Sequence, residues 1–288
     1  MHTIRERVAR WLVGVVIMMM PAGAIAQELT ELSAAEAAAR IRAGTLKSED
    51  LVRALVDVIE RKRDLNAFIT FDRDRALASA RKADGLAARK SFAGPLHGVP
   101  IVVKDNIHVA GVPNSAGTPA LKDFVPTRNA PVAEKLIRAG AIVIGKTNMP
   151  ELAFGITSNN AAFGPARNAY DPTRIAGGSS GGTGTAVAAR MVAAGLGSDT
   201  GGSVRIPAAL NGITGLTWII QRAVKRCSAL AGASPAWGNC RFAPVATEAV
   251  RRVTDLLKPS GHRPALGGSA SRRAATRVKP EQASKGKS

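Results

Sequence analysis

The segment from Gly177 to Pro207, GGSSGGTGTAVAARMVAAGLGSDTGGSVRIP, constrains this chain more than any other. Two serines, Ser179 and Ser203, each sit in a glycine-rich run, and the small residues between them have the composition of a tightly packing helix. Glycine opens backbone conformations closed to other residues. A serine held in such a turn exposes its hydroxyl and turns neighbouring N–H groups toward one point. Converging N–H groups can hold an oxyanion, so the pattern suits acyl transfer through a serine nucleophile.

The rest of the chain supplies an α/β framework for these turns. Residues 33–43 and 48–63 have helical patterning, with Ser48 as an expected N-cap ahead of Glu49 and Asp50. Residues 72–90 form a third, highly charged helical stretch, and 131–139 a further helix ended by Gly140. Val99 to Val103 is a continuous apolar run, expected as a buried strand, and Ala141 to Ile144 is a second. The helix between the serines is expected over 183–194. Strands alternating with helices indicate an α/β architecture. There is no internal repeat.

A third segment, GPLHGVPIVVKDNI over 94–107, places Lys104 at the end of the first strand. Together with GGSSGG (177–182) and DTGGSVRIP (199–207), it resembles the amidase signature family. GKTNMPELAFG (145–155) and TSNN (157–160) extend the resemblance, which is continuous from about Leu29 to Leu216. It implies a mixed sheet flanked by helices. It also implies a catalytic set of Ser203 as nucleophile, Ser179 as a second serine on a cis peptide bond, and Lys104 as base. The backbone N–H groups of Thr200, Gly201, Gly202 and Ser203 would form the oxyanion hole. Asp199 and Arg205 flank that loop and are expected to pair and hold its shape. Asp105 is expected to orient Lys104 or cap the next turn. No metal or organic cofactor is implied. The substrate would be a small amide, hydrolysed to carboxylate and ammonia, and the wording of 145–160 and of LNAFITFD (65–72) looks most like the indoleacetamide and mandelamide hydrolase branch.

Lysine serves as a base only when neutral, and burial beside the apolar run would disfavour its charged form. Histidine, the commoner base, is represented between 27 and 221 only by His97 and His108, and neither lies in a serine segment. An α/β-hydrolase reading competes, because Gly177, Ser179 and Gly181 fit G-x-S-x-G. It needs a downstream acid and histidine, and the only downstream histidine is His262. The glycines lack the Lys-Ser/Thr of a phosphate-binding loop, the Rossmann spacing fails, and no spaced His and Cys set suits zinc.

The net charge of +19 raises nucleic acid as a partner, but the charge is uneven. Residues 27–221 carry net +6, whereas 222–288 carry net +11 and are polar and low in bulky apolar residues. That tail is expected to be poorly ordered, and nucleic acid is not expected as a partner. Its two cysteines, Cys227 and Cys240, are expected to be unpaired. Residues 1–26 resemble a secretory leader, with Arg5, Arg7 and Arg10, an apolar run from Trp11 to Met20, and Ala24-Ile25-Ala26 before Gln27. The apolar run is well short of the roughly 20 residues a membrane span needs. A periplasmic or secreted protein with no stable membrane span after cleavage is therefore expected. After Leu216 the family's usual continuation is replaced by an unrelated sequence. The expectation is a shifted reading frame near codon 217 or a truncated gene, with the C-terminal part of the fold missing. An inactive fragment or pseudoenzyme is the alternative to a working amidase. The sequence is silent on oligomeric state.

Overall fold

The structure, a computed structural model, describes residues 22–217. The leader up to residue 21, the basic tail, both cysteines and His262 lie outside the described residues.

The elements expected from the sequence are present in chain order, and others that it did not announce join them. Helices α1 (Ala22–Glu31), α2 (Ala34–Arg42) and α3 (Ser48–Arg61) come first. Ser33 caps α2 in a reciprocal capping box with Glu36, which satisfies N–H groups that the first turn leaves unpaired. The start of α3 differs from expectation. Lys47 is its N-cap, and Ser48, inside the helix, donates its hydroxyl to the carbonyl of Gly98. The cap comes from a distant side chain: Asp84 accepts from the N–H groups of Ser48 at 2.7 Å and Glu49 at 2.9 Å. A carboxylate at that end also meets the positive pole of the helix.

Strand β1 (Phe68–Phe71) is followed by α4 (Arg73–Ala88), capped by Asp72. Then come β2 (Pro100–Lys104), α5 (Pro131–Arg138), β3 (Ile142–Thr147), α6 (Gly181–Ala188), β4 (Gly195–Leu196) and α7 (Arg205–Leu210). Helix α6 is shorter than the expected 183–194. Arg190 takes a left-handed φ of 61°, and Met191 donates its N–H back to the carbonyl of Ala186. This closes the helix so that the chain can return as β4.

The four strands form one mixed sheet in the order β1-β3-β2-β4. β1 is antiparallel to β3, while β2 runs parallel to both β3 and β4. Every residue of β2 is buried, as expected of a parallel strand covered on both faces. Successive side chains alternate between those faces. Ile101 and Val103 pack into a cluster with Ile107, Val109 and Ala133. Val102 faces the other way, into the cluster built by α3, α4 and Ala186 of α6. Lys104, two residues beyond Val102, falls on that second face. Alternation therefore aims the lysine at the side where α6 begins.

Glycine is required where α6 starts. A Cβ on Gly182 would lie 2.5 Å from Asn148 N and 2.6 Å from Asn148 O, and would also overlap the carbonyl of Ala67. These are backbone atoms just beyond β3 and just before β1, joined to each other by Asn148 N donating to Ala67 O at 2.9 Å and to α6 by Gly182 N donating to Asn148 O at 3.0 Å. Gly182→Ala is expected to cost about 2 kcal/mol or more, since packed backbone cannot move aside for the added methyl. Denaturant unfolding followed by circular dichroism measures this directly.

Candidate active site

Three segments meet at the C-terminal end of β2. Lys104 closes the strand and is 0% exposed. Its Nζ donates to Ser179 Oγ at 2.7 Å and to Ser198 Oγ at 2.9 Å. Ser179 is also buried, and the Gly178–Ser179 peptide bond is cis. Ser158, on the loop before the glycines, accepts from Gly181 N at 3.0 Å and fixes the entry to α6.

The loop carrying Ser203 is laid against the Ser179 turn by Ser180. The Ser180 N–H donates to the Ser203 carbonyl at 3.0 Å, and Ser180 Oγ donates to the Ser198 carbonyl at 3.2 Å. Ser203 is half-buried, and its hydroxyl makes no hydrogen bond among the described residues. The structure thus joins Lys104 to Ser179 directly and brings Ser203 alongside by backbone, without a Ser203–Ser179 hydrogen bond.

Asp199 organises this second loop. Its carboxylate accepts from Gly202 N at 2.8 Å, Val204 N at 3.0 Å and Arg205 N at 3.3 Å. It also pairs with the Arg205 guanidinium at 3.0 Å. The Arg205 hydrogen bond, joined by the backbone donors, holds the Asp199 carboxyl well below the usual carboxylate range. One expectation is corrected here. The Gly202 N–H, expected in an oxyanion hole, is spent on Asp199. The N–H groups of Thr200, Gly201 and Ser203 have no acceptor among the described residues.

Burial pushes the Lys104 ammonium down to about 8 from its ordinary 10.5, and the charge of Asp199 pulls the other way without overcoming it. The effect on the supply of base is large. At pH 7 an ordinary lysine is neutral about three times in ten thousand, whereas a value near 8 makes it neutral roughly one time in ten.

Asp105 departs from expectation. It does not turn its side chain to Lys104. It forms a buried ion pair with Lys146 at 3.3 Å and accepts from Ser115 Oγ, while Lys146 Nζ donates to Asn114 Oδ1 at 2.8 Å. Burial lowers the Lys146 pKa, opposed by the Asp105 charge. The two histidines are placed away from this chemistry. His97 is buried, its Nδ1 accepting from Ala93 N and its Nε2 facing the carbonyl of Ala83. His108 is exposed against the ring of Phe124. The G-x-S-x-G turn is not preceded by a strand; the nearest pairing is an isolated bridge between Arg167 and Ile175.

Sequence reasoning missed Ser198, Asn106 and the Lys146–Asp105 pair. Asn106 Nδ2 donates to Ser198 Oγ at 3.1 Å, and Asn106 Oδ1 is buried without a partner among the described residues. The available signal was their position, Asn106 two residues after Lys104 and Ser198 directly before Asp199.

Comparison with known proteins shows what the chain is similar to. A family model described as amidase matches residues 50–218. Mandelamide hydrolase of Pseudomonas putida is 50% identical over 201 residues, which are 68% of this chain and 40% of that protein. One component of the glutamyl-tRNA(Gln) amidotransferase of Lachnospira eligens is 45% identical over 189 residues, 65% of this chain and 39% of that one. The native peptide amidase of Stenotrophomonas maltophilia superposes with a TM-score of 0.59 at 37% identity, covering 63% of this chain and 39% of that one. The chain spans about two fifths of the length of the curated relatives it matches.

Proposed function

This chain belongs to the amidase signature family, and on that premise we propose that it hydrolyses small carboxylic acid amides through an acyl-enzyme on Ser203. The observation that carries the reading is the buried hydrogen bond from Lys104 to Ser179, with a lysine whose burial makes its neutral form accessible. A serine hydroxyl is a weak nucleophile until a base takes its proton. Neutral Lys104 draws the proton of Ser179, which in turn takes the proton of Ser203 as that oxygen attacks the amide carbonyl. Negative charge develops on the carbonyl oxygen, and the N–H groups of Thr200, Gly201 and Ser203 receive it. The same chain of hydroxyls then returns the proton to the leaving amine, and water releases the acyl group. Preorganised donors of this kind each typically contribute about 10²–10³ in rate.

The substrate class proposed is an aryl-substituted acetamide, supported by the 50% identity to mandelamide hydrolase. The leader-like pattern of residues 1–26 supports a site of action in the periplasm or outside the cell. Among the described residues no helix is long and apolar enough to cross a membrane.

Labelling of the full chain with a fluorophosphonate, with the adduct located by peptide mass spectrometry, tests the proposal. An adduct on Ser203 is expected, and its rate should climb with pH and level off above about pH 8. The sign follows from the lysine: protonated Lys104 cannot accept a proton, so acid suppresses the reaction. An adduct on Ser179 would move the nucleophile to the G-x-S-x-G turn. A folded, monodisperse sample with no adduct would make this chain a non-catalytic relative.

A further inference from the structure

We propose that Ser198 is a positioning residue for the Lys104 base: its hydroxyl, held by Asn106, takes one Nζ hydrogen and so aims the Nζ lone pair at Ser179. The inference rests on the hydrolase reading above and adds to it a residue that the triad does not contain.

The argument starts from the shape of a neutral amine, which has two N–H bonds and one lone pair. Rotation about Cε–Nζ exchanges their directions freely unless something fixes a hydrogen. Lys104 Nζ has two partners, Ser179 Oγ at 2.7 Å and Ser198 Oγ at 2.9 Å. If Ser198 accepts a hydrogen, the lone pair can be held toward the Ser179 hydroxyl, where the proton must arrive. Ser198 is itself fixed at two atoms. Its hydroxyl accepts from Asn106 Nδ2 at 3.1 Å, and its carbonyl accepts from Ser180 Oγ at 3.2 Å. Because Ser180 also binds the Ser203 carbonyl, one short network locates the base and the nucleophile loop together.

A neutral oxygen suits this task better than a carboxylate. An anion beside Nζ would stabilise the ammonium and pull the base back toward its ordinary value. The adjacent residue is an aspartate, yet the Asp199 carboxylate is turned to Arg205 and to three loop N–H groups. The hydroxyl therefore orients the amine while the neighbouring charge is occupied elsewhere.

The hydrogen bond from Nζ to Ser198 favours the ammonium slightly, so its removal should lower the Lys104 pKa further as well as loosen its aim. The test uses the full chain with 13C,15N-labelled lysine. The Lys104 resonance is assigned by its loss in Lys104→Met and titrated by NMR, and Ser203 phosphonylation is timed on the same samples. Ser198→Ala is expected to lower the Lys104 midpoint by about half to one unit and to slow phosphonylation above that midpoint by about tenfold or more. Ser198→Thr, which keeps the hydroxyl, should restore both. Lys146, buried outside this network, should titrate unchanged and so reports that the fold is intact. Asn106→Leu, which frees Ser198 without removing it, should give a smaller shift of the same sign and stands in if Ser198→Ala does not fold. An unmoved Lys104 titration in both variants would overturn the proposal, as would failure of threonine to rescue. A wild-type chain with no adduct on Ser203 would instead sink the hydrolase reading, while the Lys104 titration still decides the role of Ser198.

Discussion

Ser203→Ala is expected to lower kcat for an arylacetamide by about 10⁴-fold or more and to eliminate the fluorophosphonate adduct. The unfolding midpoint should stay where it was. The two halves of this expectation have one cause. The Ser203 hydroxyl is half-buried and makes no hydrogen bond among the described residues, so its loss breaks nothing in the resting fold. The loop is held instead by the Ser203 carbonyl and by Asp199, which the substitution leaves in place. Removing the other serine is a different experiment. Ser179→Ala deletes a buried partner of Lys104 and leaves the amine with Ser198 alone, so stability and the lysine titration should both move. A Ser203→Ala protein that kept more than about a hundredth of the wild-type rate would remove Ser203 from the nucleophile role, and Ser179→Ala would then become the decisive variant.

How much of this was legible in the sequence depends on whether local or distant atoms settle each feature. The apolar run before Lys104 announced β2, because a strand buried on both faces must be continuously apolar. Helix α5, opened by Pro131 and followed by Gly140, carried its own boundaries. Strand β1 was invisible: its four residues are all half-buried, with no alternation to mark a face. Strand β4, only two residues long, exists because β2 offers it an edge. The cap of α3 was misplaced for the same kind of reason, since the carboxylate that does the work is Asp84, thirty-six residues away from Ser48. The site divides similarly. Lys104, Ser179 and Ser203 stand out because they lie in glycine-rich or strand-end contexts and in the order of a known family. Ser198 and Asn106 have no local signature, and only the fold brings them to the same amine. The glycine-rich loop around Ser203 was legible as a turn, but the sequence could not show that Asp199 would accept the Gly202 N–H.

Lys146→Met is expected to have the largest effect on stability, costing about 3–5 kcal/mol. Lys146 and Asp105 are both 0% exposed. Their pairing offsets the loss of water around two charges, and removing the cation leaves the carboxylate buried with only Ser115 as a side-chain donor. Asn114 Oδ1 loses its donor at the same time. Methionine fills much the same volume as the lysine stem, so the loss reads the missing charge rather than a cavity. The backbone at this point ties the end of β2 to β3 and to the loop that follows: Asp105 N donates to the Thr147 carbonyl at 3.2 Å, and the Asp105 carbonyl accepts from Ala116 N at 3.3 Å. Strain here would therefore reach Lys104, the preceding residue. The double replacement Lys146→Met with Asp105→Leu should cost clearly less than the sum of the single replacements, because it leaves no orphaned charge. Denaturant unfolding of the four proteins completes the cycle. Additive losses would mean that the two charges do not support each other, and that this buried pair is held in place by the surrounding packing alone.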